Sequence, residues 1–552
     1  MKRALFIVVA TLASVSSAAR NRTLAYGWDV LRSSPSDFLA NAAAWQEVPV
    51  DGVVFTLNAP NPAGGNFMHR RISTDRGWTY DAFATQVPIL RELVARKSFS
   101  HSMAGAWFQG HNEKNRLDWR DDSAWSNFAS NMGVLAKIVQ NAGLEGICID
   151  NEDYGKCRQF YRRDGELPYD ELRLLARRRG REVFEPVFRE KPDIALLAFW
   201  FLSYEGAYRA EDDLMVKERE LGDLWPAFIE GMLEAMPDSA TFHDGNENAY
   251  YHRAETGDYF RSATRILSRY EELLEPAYRD KYRARVRVSA GFYMDNYIQK
   301  DPSNYHYLPP TEGGTQVDRF CDNYIQADEA CEGYIWLYGE KRPWIDWKGG
   351  VDKPWRRAPT WDDAMPGLYD IFAARRDVVS FGARKCAQLD ASGVATNLVA
   401  NGDCALNADC SGFKTNKFAK GFNSWRNKKE EGSFGTDADV GRGDSFSVRL
   451  DNMVRGCVIA YADVFAPGKT ILVRLHAKGD NPHATVYYTK DRKWRFSLGN
   501  ARVKFDEPSA DGWRAGYAVV SIPHGADGFG VQMCGSAKGK VWYDDIGAYL
   551  IR

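Results

Sequence analysis

Eight short apolar runs, each closing on polar or aromatic residues and each followed by a stretch with helical spacing, recur between residues 24 and 340. They are Leu24–Trp28, Val53–Asn58, Met103–Gly110, Gly146–Glu152, Leu196–Ser203, Ala240–Glu247, Val288–Asn296 and Gly333–Glu340. Segments such as GVVFTLN, ALLAFWFLS and GYIWLYGE are almost continuously aliphatic, β-branched or aromatic, the composition of parallel strands buried on both faces. Between them, Tyr80–Lys97, Ala124–Ala142, Tyr169–Glu190, Leu221–Met236 and Tyr259–Tyr282 carry Leu, Ala, Arg and Glu at helical spacing. Strands alternating with helices imply right-handed crossovers and a parallel sheet. A count of eight, with no glycine-rich phosphate loop after the first run, favours a closed α/β barrel of the (β/α)8 or TIM type over an open doubly wound sheet.

The chain ends differ from this pattern. Lys2 and Arg3 precede the apolar stretch Ala4–Ala13, and Ser17, Ala18 and Ala19 supply small residues for cleavage, so residues 1–19 read as an export signal and the mature chain as secreted or periplasmic. No later apolar run approaches the roughly 20 residues needed to cross a bilayer. After the helical stretch Trp361–Ala374 and a passage through Gly382–Ala395, the sequence turns to Gly, Asn and Asp between short alternating strands. This divides the chain into a barrel over residues 20–385 and an all-β sandwich over residues 396–552.

A net charge of −2 with 26% charged residues gives no footprint for nucleic acid or an anionic membrane. Nine cysteines agree with an oxidising compartment. Cys404 with Cys410, Cys321 with Cys331, and Cys457 with Cys534 are candidate bridges, while Cys148 reads as a small buried hydrophobe. None has the spacing of a Cys/His zinc site, so neither metal nor cofactor is expected. Oligomeric state has no signature in the sequence.

Barrels of this kind place their chemistry at the carboxyl ends of the strands. Acids gather there: Asp150, Glu152, Asp244, Glu247, Asp295 and Glu340. In GICIDNEDYG, alternation puts Asp150 and Glu152 on one face, and two stacked carboxyl groups are forced to different pKa values, as an acid and base pair requires. We read Asp150 as nucleophile or base, Glu152 as its polar neighbour or the acid, and Asp244 or Glu247 as the partner acid/base from the sixth strand. His243 and Asn246 flank that partner. Aromatic residues make up 13% of the chain, with 17 tryptophans. Trp28, Trp107, Trp200 and Trp336 fall at strand ends, where ring faces suit the C–H faces of sugars or else belong to the core. Asp29, Gln109, His111, Asp295, Tyr338 and Glu340 complete the expected substrate-binding set.

With these motifs the chain resembles secreted glycoside hydrolases of the (β/α)8 class. The ending Asp150-x-Glu152 is similar to the chitinase-type pattern Asp-x-x-Asp-x-Asp-x-Glu, which implies Glu152 as general acid. Here the stretch reads Glu145-x-x-Cys148-x-Asp150-x-Glu152, so the acidic ladder is incomplete. ATFHDGNENAYYH also resembles barrel glycosidases with a nucleophile on the fourth strand and the acid/base on the sixth. NLVANGDCA and KVWYDDIGAYLI resemble the terminal strands of jelly-roll carbohydrate-binding modules, which implies Trp425, Tyr487, Tyr488 and Trp494 as sugar contacts. The expected function is cleavage of a poly- or oligosaccharide. Alternatives are a polysaccharide lyase, with Tyr154, His243 or Lys341 as base, and a non-catalytic carbohydrate-binding protein.

Overall fold

Runs rich in Val, Ile, Leu and aromatic residues become eight parallel strand positions. In the computed structural model they are β1 (Arg22–Gly27), β2 (Gly52–Phe55), β3 (Met103–Trp107), β4 (Gly146–Asp150), β5 (Ala195–Ala198), β6 (Thr241–Asp244), β7 (Val286–Val288 with Ala290–Tyr293) and β8 (Tyr334–Gly339). The structure describes residues 21–108, 113–151, 153, 157–203, 214–349, 353–393, 395–405, 412–416, 420–429, 431–443, 446–463, 468–523, 525–536 and 538–551. Each strand pairs in parallel with its sequence neighbour, and β1 pairs with β8 from Arg22↔Tyr334 to Gly27↔Gly339. The two parts of β7 flank Ser289: the first pairs β6 and the second pairs β8. Ser289 donates its N–H to the Asp244 carbonyl at 2.9 Å, and its hydroxyl accepts the Tyr334 N–H at 3.1 Å. The nine parallel stretches therefore make a barrel interrupted only at that residue.

Helices fill the crossovers, among them α1 (Asp122–Ala142), α2 (Tyr169–Glu190) and α3 (Trp225–Ala235). Asp121 caps α1 by accepting the Ala124 N–H at 3.0 Å. Along each strand, alternate residues point inward. Leu24, Tyr26, Val54, Met103, Cys148, Leu197, Phe199, Tyr334 and Trp336 form the barrel interior.

The second architecture is antiparallel. A seven-stranded sheet orders its strands as 413–415, 433–437, 447–451, 540–550, 470–479, 513–521 and 504–505. The other sheet orders 422–426, 456–463, 528–534, 483–490 and 493–494, with 500–502 also on 483–490. Val448, Leu450, Val458, Val473, Leu475, Val486, Phe529, Val531 and Tyr543 are buried between them. An α/β barrel followed by an all-β sandwich is thus the fold.

Two compact units divide the described chain, one ending at Ile298 and resuming over Asn323–Ala364, the other built from Gln299–Asp322 and Met365–Arg552. The second unit includes a helix, α4 (Val378–Ser392), where the sequence suggested only a passage between domains. Its Cys386 is buried with Leu472 and Tyr517 of the seven-stranded sheet, and a Cβ on Gly382 would meet the Tyr517 ring at 2.4 Å.

The described cysteines are unbridged. Cys321 lies inside the helix Gln316–Ala330 and Cys331 directly follows it. The helix between them rises about 15 Å, against roughly 6 Å between bridged Cα atoms, which corrects the expectation of a link there. Cys410 lies outside the described residues. Among the described residues no helix is long and apolar enough to cross a membrane.

Candidate active site

Six aromatic side chains close a ring inside the barrel mouth. Tyr26 meets Phe199 at 5.4 Å between centroids, and Phe199 stacks on Trp336 at 4.3 Å and 7°. Trp336 meets Tyr250 at 5.4 Å, Tyr250 meets Tyr293 at 5.5 Å, Tyr293 stacks on Tyr338 at 5.8 Å, and Tyr338 returns to Tyr26 at 5.6 Å. β1, β7, β8 and the turns after β5 and β6 supply these rings. The Trp336 indole N–H donates to the Gly245 carbonyl at 2.9 Å, which fixes the largest ring of the floor.

Carboxyl groups stand around this floor. Asp150 shares the inward face of β4 with Cys148, and burial together with the Asp150 charge raises the Cys148 thiol well above its usual pKa. Trp107 is the direct partner of Asp150 on β3. At the end of β8, the Trp28 indole N–H donates to the Tyr338 hydroxyl at 3.1 Å, and that hydroxyl donates to Glu340 Oε1 at 3.1 Å. The Glu340 backbone N–H donates to Asp295 Oδ2 at 2.8 Å. Burial pushes the Asp295 carboxyl up to about 6 against the pull of that N–H. Asp295 is enclosed, so it holds the Glu340 turn from behind. Glu247 opens the one-turn helix Glu247–Tyr251, its N–H bonded to the Phe199 carbonyl at 3.1 Å.

Other expected members of the site lie elsewhere. Asp244 faces outward from β6: its carboxylate accepts the N–H groups of Leu202 and Ser203 at 2.9 Å each, the Ser203 hydroxyl at 2.5 Å and the Asn246 N–H at 3.1 Å. It has no exposed surface, so it clamps two turns instead of meeting a substrate. His243 points inward but one layer beneath the floor, edge-on to Tyr334 at 4.7 Å and 3.2 Å from the Thr241 hydroxyl. Burial lowers its pKa to about 3, so it is neutral. Asn246 turns its amide away to the Ser262 hydroxyl at 3.0 Å. Asp29 accepts the Trp344 N–H at 2.8 Å and the Trp347 indole N–H at 3.2 Å, pinning the segment after β8. Trp200 is half-buried against the interior cluster. Glu152, Gln109 and His111 lie outside the described residues, as does Tyr154.

One residue of the mouth escaped sequence reasoning. A hairpin (Asn58–Pro60 with Asn66–Met68) leads directly into the turn His69–Arg71. The His69 ring lies 3.9 Å from where Gly105 on β3 would carry a Cβ. Burial takes this imidazole down to about 4, so it is neutral in ordinary buffers. The turn signal NPAGGN was its only trace in the sequence. Among the described residues no group of three or more His, Cys, Asp or Glu side chains is set to hold a metal ion.

The sandwich carries a second candidate surface, on the outer face of its six-stranded sheet. Register sets three cross-strand rows there: Trp425, Cys457, Cys534 and His483; then Asn423, Ile459, Gln532, Thr485 and Arg502; then Tyr461, Gly530, Tyr487 and Asn500. Trp494 lies over Gly530, where any Cβ would approach the indole at 2.7 Å. It contacts Tyr461 and Tyr487, each at 5.7 Å, and Phe496 at 6.3 Å. Tyr488 alternates to the core face, which corrects its expected role as a sugar contact.

Neither a family model nor a curated protein matches the chain. Among solved structures, it is similar to the enzymatically active domain of bacteriophage CBA120 tailspike protein 4 at 15% identity and a TM-score of 0.21, over 28% of this chain and 21% of that one. Similarity to the CBM22-1 and GH10 modules of Clostridium thermocellum endo-1,4-beta-D-xylanase 10B is at 10% identity and a TM-score of 0.19, over 24% and 26%. The chain thus spans about a fifth to a quarter of those two structures. A CBM61 module in complex with beta-1,4-galactotriose is matched over 99% of its length and 28% of this chain, at 11% identity and a TM-score of 0.20.

Proposed function

We propose that the chain is an exported glycoside hydrolase that cleaves a poly- or oligosaccharide at the barrel mouth. The observation that carries this reading is the closed aromatic floor with carboxyl groups of Asp150, Glu247 and Glu340 around it. Tyr293 and Tyr338, the partly exposed rings of that floor, accept the C–H face of a sugar, while the acids reach its hydroxyls and the bridging oxygen. Glycosidic cleavage takes two carboxyl groups, one protonating the leaving oxygen and one attacking or activating water. Asp150 and Glu340 are assigned as that pair, because β4 and β8 stand on opposite sides of an eight-stranded mouth. Tyr338 and Asp295 orient Glu340, whereas Glu152 and Glu247 are the alternative acids.

The purified chain is assayed on a glycan panel for new reducing ends and for absorbance of unsaturated uronates. Reducing ends alone are expected. Proton transfer and nucleophilic attack each contribute factors of about 10² or more, so Asp150→Asn and Glu340→Gln should each lower kcat by at least about 10² while melting near the wild type. Unsaturated products would replace the reading by a lyase, and binding without turnover of any glycan would replace it by a non-catalytic carbohydrate-binding protein.

The outer face of the six-stranded sheet is read as a surface that holds the glycan chain. Tyr461, Tyr487 and Trp494 offer contiguous ring surface beside the polar row of Gln532, Thr485 and Arg502. Trp494→Ala should weaken retention in a soluble-glycan gel by roughly tenfold, equivalent to about 1.4 kcal/mol. Retention unchanged in that variant would remove the face from the reading.

A further inference from the structure

We propose that Cys457 and Cys534 form a cross-strand disulfide that fixes one edge of the sandwich's outer face. The two residues are direct partners in an antiparallel pairing, and both side chains leave the sheet on the same side. Directly opposed residues in such a ladder have Cα atoms about 4.5–5.5 Å apart, inside the roughly 4.4–6.8 Å range that a disulfide spans. The Gln532 amide, in the next row, donates to Cys457 Sγ at 3.0 Å, so this sulfur points to the outer side of the sheet, where its neighbours bury it. No other described cysteines are recorded as partners in one strand register. Trp425 stands opposite Cys457 on the far strand. The link therefore ties together the two strands between Trp425 and His483. That consequence rests on the glycan-holding reading of this face, whereas the linkage itself does not.

The chemistry requires an acceptor of two electrons, for which a small disulfide suffices. One cysteine thiolate attacks a sulfur of oxidised glutathione, releasing one glutathione thiolate and leaving a mixed disulfide. The second cysteine then attacks the protein sulfur and releases the other glutathione. Two protein thiols lose two hydrogens, and one glutathione disulfide becomes two thiols. Burial raises both thiols, that of Cys534 to about 12, so exchange should quicken as the pH is raised.

Full-length reduced protein is incubated with oxidised glutathione, denatured, alkylated without reductant and digested. The expected product is one linked peptide pair containing residues 457 and 534, lighter than the unmodified pair by two hydrogens. Closing so long a loop should raise the melting temperature of the sandwich by about 5–10 °C over the reduced protein. The double variant Cys457→Ser/Cys534→Ser should melt with the reduced wild type and ignore the oxidant. Alkylation of both residues, a lasting glutathione adduct on either, or a link to a different cysteine would overturn the proposal. Retention in a glycan gel separates the two readings. A linked protein without retention refutes only the glycan face, and retention without a link refutes only the disulfide.

Discussion

Asp29 and Asp244 are buried carboxyl groups that serve the scaffold, and each makes a distinct prediction. Burial pushes Asp29 up to about 6 despite its two hydrogen bonds to the segment after β8. Between its ordinary value and about 6, the folded state binds more protons there than the unfolded chain does. Stability should therefore fall as pH rises through that window, by at most about 3 kcal/mol, and level off above it. Urea unfolding across pH 4 to 7 reads this contribution, and Asp29→Asn should remove it. Asp244→Ala strands the Leu202 and Ser203 N–H groups and should cost about 2–4 kcal/mol in the same measurement. Tyr338→Phe keeps the ring but removes the hydroxyl that accepts the Trp28 indole N–H and donates to Glu340; loss of the hydrogen bond to the carboxylate should lower kcat about tenfold with little change in KM. The sequence showed that acids collect at these strand ends, but not which way each one faces. TFHD of β6 holds a single large apolar residue, Phe242, too few to set the phase of alternation, so Asp244 and His243 were placed together at the mouth. In the structure they diverge, one outward and one beneath the floor. On β4 alternation showed only that Asp150 and Glu152 share a face; the structure adds that Asp150 takes the inward face with Cys148.

At the scale of elements, the eight strands were legible because burial on both faces demands uninterrupted apolar runs, a signal independent of phase. Tyr169–Glu190 was legible to the residue, despite Pro186, because its long amphipathic repeat outweighs one lost hydrogen bond. α4 was not. Gly382, Ser380 and Ser392 dilute its helical signal, and its buried stripe of Phe381 and Cys386 is short. Its packing tests the boundary between the units. A fragment of residues 396–552 exposes Leu472, Tyr517 and Val519 of the seven-stranded sheet, which α4 covers. It should bind a hydrophobic dye and melt below a fragment of residues 365–552. Equal melting of the two would show that α4 contributes nothing to the sandwich.

For the whole molecule, the floor of the mouth ties the site to the completion of the chain. Tyr26 comes from the first strand and Tyr338 from the last, yet they are neighbours in the same ring of six. A nascent or half-folded barrel holds Asp150 on β4 but has no floor to present a sugar to it. Under the proposed glycosidase reading, competence is thus postponed until the eighth strand docks and the cylinder shuts. The stacked Phe199 and Trp336 pair reports that moment, because its chiral near-ultraviolet signal should appear with the last kinetic phase of refolding and together with activity. Proofreading is built into such an arrangement: under that reading, a chain truncated before β8 should show no hydrolysis.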